Sequence, residues 1–264
     1  MDPGHQHLFS QVAEKYASHR PTYPQGFFSD LAARCADRAL AWDCGCGNGQ
    51  ASVALADHFE QVIATDASAQ QIQQARPHRR VTYRTASATA SGLKDASVDA
   101  ILVAQAVHWF AGEAFNAEVR RVAKPRAVMA WIGYLPLQVD DQHIQTLIQQ
   151  FYGVTLKPWW SPQRVWVERS FAGLPFPGEE WPFPSDLWIE RDWTLTQLLG
   201  YLSSWSAVAA AQRVGQDPMA HLQQELMRHW PAAGAQSLRV RWQFMGRWGQ
   251  ISHVTVAPRC LPCS

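Results

Sequence analysis

The sequence has no excess of charge of either sign: 23 lysines and arginines stand against 22 aspartates and glutamates in 264 residues. A chain so balanced sets up no dominant field to draw in a polyanion or an anionic bilayer, which argues against nucleic acid or a membrane as the main partner. Long apolar runs are missing too, none approaching the roughly 20 residues that span a bilayer. The start, Met1-Asp2-Pro3-Gly4-His5, lacks the charged-then-apolar layout of a secretory signal, so a cytoplasmic protein is expected. Cysteines are few and odd in number, at Cys35, Cys44, Cys46, Cys260 and Cys263, which reads as reduced thiols rather than a disulfide framework. Cys260 and Cys263 form a CxxC that would need Cys44 and Cys46 to complete a zinc site. The latter pair lies in a turn that has another explanation, so no metal is expected. Internal repeats and low-complexity tracts are also absent.

What is present is alternation. Leu8, Val12 and Tyr16 recur at helical spacing and predict an amphipathic helix, ended by Arg20-Pro21-Thr22-Tyr23-Pro24. From about residue 39 short apolar runs alternate with helical stretches. Strands are predicted over 39–43, 62–66, 81–85, 98–104 and 128–133, and helices over 50–57, 69–75 and 114–122. This implies an α/β fold, a parallel sheet doubly wound with helices on both faces. Past Tyr134 the texture changes, because ten of the thirteen tryptophans lie there, mixed with proline and glycine. The expected organisation is a ligand-binding core with its N-terminal cover helix over 1–134, a helical and aromatic cap insertion over 135–236, and strands completing the core sheet over 237–264. Helices are predicted over 195–211 and 219–229. Residues 238–244 and 251–256 are predicted as an antiparallel strand pair around Gly246-Arg247-Trp248-Gly249.

Ala39-Leu40-Ala41-Trp42 runs into Asp43-Cys44-Gly45-Cys46-Gly47-Asn48-Gly49 and then into a helical stretch. Strand, glycine turn, helix is a ligand-binding junction, since ligands of open α/β sheets sit beyond the carboxyl ends of the strands and glycines let the backbone approach. Dinucleotide folds space their glycines GxGxxG. Here the third position from Gly45 is Gln50 and from Gly47 is Ser52, so that spacing fails. An acid at the strand end, Asp43, also suits a ligand bearing an ammonium group better than a pyrophosphate. S-adenosylmethionine meets that description. A second acid, Asp66, ends the next strand, where a carboxylate either accepts hydrogen bonds from ribose hydroxyls or caps a helix.

These residues resemble the class I S-adenosylmethionine-dependent methyltransferases, in particular a small-molecule branch similar to trans-aconitate methyltransferase-like proteins, over most of residues 8–134. The resemblance implies a Rossmann-like, mostly parallel sheet of seven strands. It also implies a cofactor site in which Asp43, Gly45, Gly47 and Gly49 wrap the methionine part, Asp66 holds the ribose, Ala67 and Ser68 line the adenosine, and Ser87 and Ala88 edge the adenine. Tyr16 and Arg20 would help cover the cofactor. Gln105-Ala106-Val107-His108-Trp109-Phe110 is the string most specific to the branch, and it places Gln105 and Ala106 beside the cofactor. Thr89 and Ala111 depart from the pattern, standing where many relatives carry acids.

A sulfonium-bound methyl group is already electrophilic, so the protein must mainly align an acceptor and exclude water. His108 is the candidate base for an acceptor that must lose a proton, because it follows the fourth predicted strand. Tyr23, His108, Trp109 and Trp205 are the expected substrate pocket, although a tryptophan taken singly reads as core. The basic run Arg76-Pro77-His78-Arg79-Arg80 reads as a solvated turn. The sequence thus predicts a methyltransferase acting on a small-molecule acceptor; the competing reading is a non-catalytic protein that binds S-adenosylmethionine on the same fold.

Overall fold

The computed structural model describes residues 20–234 and 236–253, so the helix expected around Leu8 to Tyr16 and the cysteines Cys260 and Cys263 lie outside the described residues. Five parallel strands form the frame, in the order β3-β2-β1-β4-β5: β1 (Leu40–Cys44), β2 (Gln61–Asp66), β3 (Val81–Thr85), β4 (Val98–Ala104) and β5 (Ala123–Tyr134). Every residue of β4 but the last is buried, as expected for a strand covered on both faces, and its sequence is accordingly apolar nearly throughout. Helices α1 (Gln25–Arg34), α2 (Gln50–Ala56), α3 (Ala69–Gln73) and α4 (Glu113–Val122) come from the same half of the chain. Helix α1 buries Phe27, Phe28, Leu31 and Ala32, the one-face spacing of an amphipathic helix.

The second half is held to this frame by one long strand, β9 (Leu238–Ile251), which lies antiparallel to β5 from Val128↔Gln250 to Tyr134↔Phe244. On β9 also pair β6 (Gln138–Val139), β7 (Gly178–Trp181) and β8 (Trp188–Trp193), giving nine strands among the described residues. Between them run α5 (Gln142–Gln150), α6 (Arg164–Glu168), α7 (Leu195–Ser203), α8 (Ser206–Arg213) and α9 (Met219–His229). The segment from 135 to 236 therefore adds strands to the core sheet as well as helices. One apolar core is continuous across both halves, from Phe27 and Leu55 to Leu198, Leu222 and Trp242.

Three sequence expectations differ from the structure. Over the described residues the strand pair expected at the C-terminal end is one strand antiparallel to β5, and Gly246 and Gly249 lie inside it; residues 254–256 of the second expected strand lie outside the described residues. A Cβ on either would run into backbone of the facing strand, at the Trp131 and Glu179 carbonyls respectively, so these glycines mark close strand approach and not a turn. Strand β5 begins five residues earlier than residue 128, with the register skipping from Val98↔Ala123 to Ala100↔Val128; Arg126 at φ +66° and Pro125 form the bulge between. The single helix expected over 195–211 is two, broken where buried Ser204 turns its hydroxyl back onto the Tyr201 carbonyl at 2.6 Å. The Arg76 to Arg80 run does form the turn before β3.

Gly249→Val is expected to push β7 off β9 and lower stability by about 2 kcal/mol, the usual cost of overpacking a tight site. Urea denaturation checks this, and an unchanged midpoint would contradict the close approach.

Candidate functional site

The strand order reverses between β1 and β4, and at such a switch point an open α/β sheet leaves a crevice beyond the carboxyl ends of its strands. The glycine turn closes one wall of it. Gly45, Gly47 and Gly49 all have left-handed backbones, at φ +70°, +53° and +79°, a conformation that costs any other residue strain. Space restricts them as well. A Cβ on Gly45 would lie 2.7 Å from that of Ala106, and one on Gly49 would overlap the Tyr83 ring.

A cavity of about 130 Å³ fills the crevice. The turn contributes Gly45, Cys46, Gly47 and Asn48; the end of β2 contributes Asp66, Ala67 and Ser68; the loops after β3 and β4 contribute Ala86, Ala88, Gln105, Ala106, Trp109 and Phe110. Arg20 and Tyr23 close it from the N-terminal side, where the Gln50 side chain donates to the Pro21 carbonyl at 3.0 Å. Asp66 accepts the Gly47 N–H at 2.9 Å on Oδ2 and the Ser68 N–H at 2.8 Å on Oδ1. Burial raises its pKa while those two hydrogen bonds oppose the rise. Each carboxylate oxygen has a further lone pair, so Asp66 can still accept from a ligand lying in the cavity. Ser68 caps α3, its hydroxyl accepting from the Gln71 N–H at 3.3 Å. Gln105 stands at φ +56°, an uncommon backbone for a residue with a side chain, and sits on the cavity wall.

Several residues singled out from the sequence are elsewhere. Asp43 is fully buried and does not line the cavity: its Oδ2 takes the Ser52 hydroxyl of α2 at 2.5 Å. Its Oδ1 has no partner among the described residues, and burial pushes its pKa up to about 7, with the Ser52 bond opposing and the Asp66 charge adding to the rise. Gly49 belongs to the turn and to the Tyr83 contact rather than to the cavity wall. Ser87 is off the cavity, exchanging a hydrogen bond with Thr89 at 3.0 Å, and Thr89 is exposed. Tyr23 and Trp109, expected beside the acceptor, line the first cavity. Tyr16 lies outside the described residues.

His108 lines neither this cavity nor its neighbour. It sits in a short helical turn over Val107–Trp109, stacked against Phe171 with ring centroids 6.5 Å apart. Its Nδ1 is buried with no hydrogen-bond partner among the described residues. Burial, then the Arg164 and Arg20 charges, hold its pKa down to about 3, which leaves it neutral and a weak base.

A second cavity of about 50 Å³ adjoins the first and shares Arg20 and Gln105 with it. Its other walls are Tyr134, Leu135, Pro136, Trp160, Arg164, Tyr201, Trp205 and Ser206. Of these, Trp160 and Trp205 belong to the tryptophan-rich texture read from the sequence; nothing in the spacing of Arg164 or Tyr201 marks them, because they come from separate helices of the second half. Among the described residues no helix is long and apolar enough to cross a membrane, and no group of His, Cys, Asp and Glu is arranged to hold a metal ion.

A mixed sheet with a parallel frame and a glycine-lined cleft at its switch point defines a Rossmann-like fold, and comparison with known proteins supplies the family. A family model described as a methyltransferase domain matches residues 42–131. A protein of Dictyostelium discoideum, provisionally named a methyltransferase, is 30% identical over 224 residues, 83% of this chain and 85% of that protein. A methyltransferase-like protein of Schizosaccharomyces pombe is 31% identical over 128 residues, 47% of this chain and 50% of its own. The solved structure of a protein from Anaeromyxobacter dehalogenans, provisionally named a type II methyltransferase, matches with a TM-score of 0.79 and 44% identity over 88% of this chain and 97% of that one. The chain belongs to the class I S-adenosylmethionine-dependent methyltransferases. The matches define that family and not a branch within it.

The depressed pKa of His108 has a consequence for stability. Between its unfolded value of 6.5 and about 3 in the folded protein, the unfolded chain binds a proton that the folded chain does not, so stability falls as pH falls through this window. His108→Gln is expected to lose less stability than the unaltered protein between about pH 7 and pH 5. Urea midpoints at the two pH values measure the difference, and equal losses would refute a neutral, buried imidazole.

Proposed function

We propose that the protein transfers a methyl group from S-adenosylmethionine to a small-molecule acceptor, with the cofactor lying in the first cavity along the glycine turn. The observation that carries this reading is the juxtaposition of a left-handed glycine backbone with the Asp66 carboxylate on one crevice. The residues fit the group: Gly45 and Gly47 offer a surface without side chains, and Asp66 retains lone pairs for the two ribose hydroxyls. Ala67, Ser68 and Ala88 would flank the adenosine, with Arg20, Gln105 and Ala106 towards the methionine end. When bound, the cofactor supplies a methyl group made electrophilic by its sulfonium.

The protein's own part is positioning. Gln105 and Arg20, shared by both cavities, place the second cavity beside the first, where an acceptor can approach in line with the carbon–sulfur bond. Segment 135–236 supplies most of the second cavity and so selects the acceptor. Trp109, Phe110 and Tyr23 exclude water from the first. Asp43 acts on the turn from behind, through Ser52. His108 is assigned to packing, since neither its position nor its basicity suits a base.

Calorimetry is expected to show binding of S-adenosylmethionine and S-adenosylhomocysteine and none of NAD; failure of the first two to bind would sink the reading. Asp66→Ala is expected to weaken S-adenosylhomocysteine by about tenfold or more, the loss of hydrogen bonds to a charged acceptor. A melting curve shows whether the turn survives without the Gly47 and Ser68 bonds, and unchanged affinity in a folded variant would remove Asp66 from the site.

A further inference from the structure

The second cavity is built of donors. Arg164 reaches it from α6 with its Nε given to the Tyr152 hydroxyl at 2.8 Å, and neither of its Nη atoms makes a hydrogen bond among the described residues. Its guanidinium is held in place by the faces of Trp160 and Tyr152, 4.9 and 5.3 Å away. Arg20 also lines the cavity and donates to the Tyr134 hydroxyl at 3.5 Å. The Tyr201 hydroxyl accepts the Trp242 Nε1–H at 3.0 Å, which leaves its own hydrogen to be donated. Among the described residues no acidic side chain lines the cavity; Glu168, 3.8 Å from the Arg164 Nε, stands outside the lining. Trp160 and Trp205, with centroids 5.7 Å apart, supply aromatic walls.

We propose that this cavity is the acceptor subsite and that it anchors a carboxylate of the acceptor on Arg164, Arg20 and Tyr201, while a different atom of the same molecule, nearer Gln105, takes the methyl group. Guanidinium forks match carboxylates in shape and charge. A carboxylate whose lone pairs are committed to two guanidiniums and a phenol is a poor nucleophile, so the anchored group is a handle and the reacting atom lies elsewhere on the acceptor. In the transfer, that atom's lone pair forms the new bond to the methyl carbon as the carbon–sulfur bond breaks with its electrons left on sulfur. A proton carried by the nucleophile passes to solvent. The same positive field is felt by His108, whose protonation both arginines oppose.

The inference rests on the cofactor occupying the first cavity, so the test starts from the full chain saturated with S-adenosylhomocysteine. Benzoate, which pairs a carboxylate with a planar body for the Trp160 and Trp205 walls, is titrated against benzamide, its neutral counterpart. Benzoate is expected to bind at least about tenfold more tightly, as for hydrogen bonds to a charged group. Arg164→Gln should remove that preference and Tyr201→Phe should weaken benzoate, with S-adenosylhomocysteine affinity kept in both. Equal binding of the two probes, or none of benzoate, overturns the proposal. So does a loss of S-adenosylhomocysteine affinity in folded Arg164→Gln, which would give the cavity to the cofactor. The probe comparison uses the unaltered chain and decides the matter even where a variant fails to fold, whereas failure of S-adenosylhomocysteine to bind at the outset overturns the cofactor reading instead.

Discussion

The structure depends on a backbone that has to turn left-handed three times within five residues. Between β1 and α2 the chain reverses at the switch point of the sheet with Ala106 against one side of the turn and Tyr83 against the other. Glycine meets both demands, since it tolerates positive φ and brings no Cβ into the contact. The surroundings then hold the turn: Asp66 takes the Gly47 N–H, and Thr65 takes those of Gly45 and Cys46 at 2.8 and 3.0 Å. A cleft lined by backbone and small side chains follows from that arrangement, and so does its suitability for a flat, hydroxyl-bearing ligand.

Strand β9 carries the second constraint. Its fourteen residues pair with β5 along one edge and with β7 and β8 along the other, so the parallel frame and the later segments form one sheet. Its buried tryptophans link layers through their indole N–H groups as well as by area. Trp248 donates to the Pro182 carbonyl at 2.9 Å and Trp242 to the Tyr201 hydroxyl. Buried indoles need such partners. The second of these bonds orients a polar group on the wall of the second cavity, so the core of the sheet and the polarity of that cavity are set together.

The two cavities differ in chemistry for a physical reason. The first is walled largely by main chain and small side chains with one carboxylate among them. The second collects long side chains from α6, α7 and the segment before α1, whose charged and hydroxyl ends meet inside aromatic surroundings. Burial first, and then the positive charge gathered there, keep the nearby His108 neutral.

Much of the first half was legible in the sequence. Strands β3 and β4 match their predicted bounds residue for residue, because β4 is a buried, nearly continuous apolar run and β3, at the sheet edge, is a short β-branched and aromatic stretch between turn residues. The glycine spacing and Asp66 marked the crevice for the same reason, since turn geometry and strand ends are local properties. Where contacts across the sheet decide, sequence reasoning missed: the glycines of β9 looked like a turn and serve close strand approach, and the bond of Asp43 to Ser52 on a helix carried no local signal. Arg164 and Tyr201 carry no local signal at all. The sequence by itself determined the sheet's frame and the glycine turn, because these are set within a few residues along the chain. Tertiary structure alone decided which side chains line the second cavity, because helices far apart in sequence meet there only once β9 has drawn both halves into one sheet.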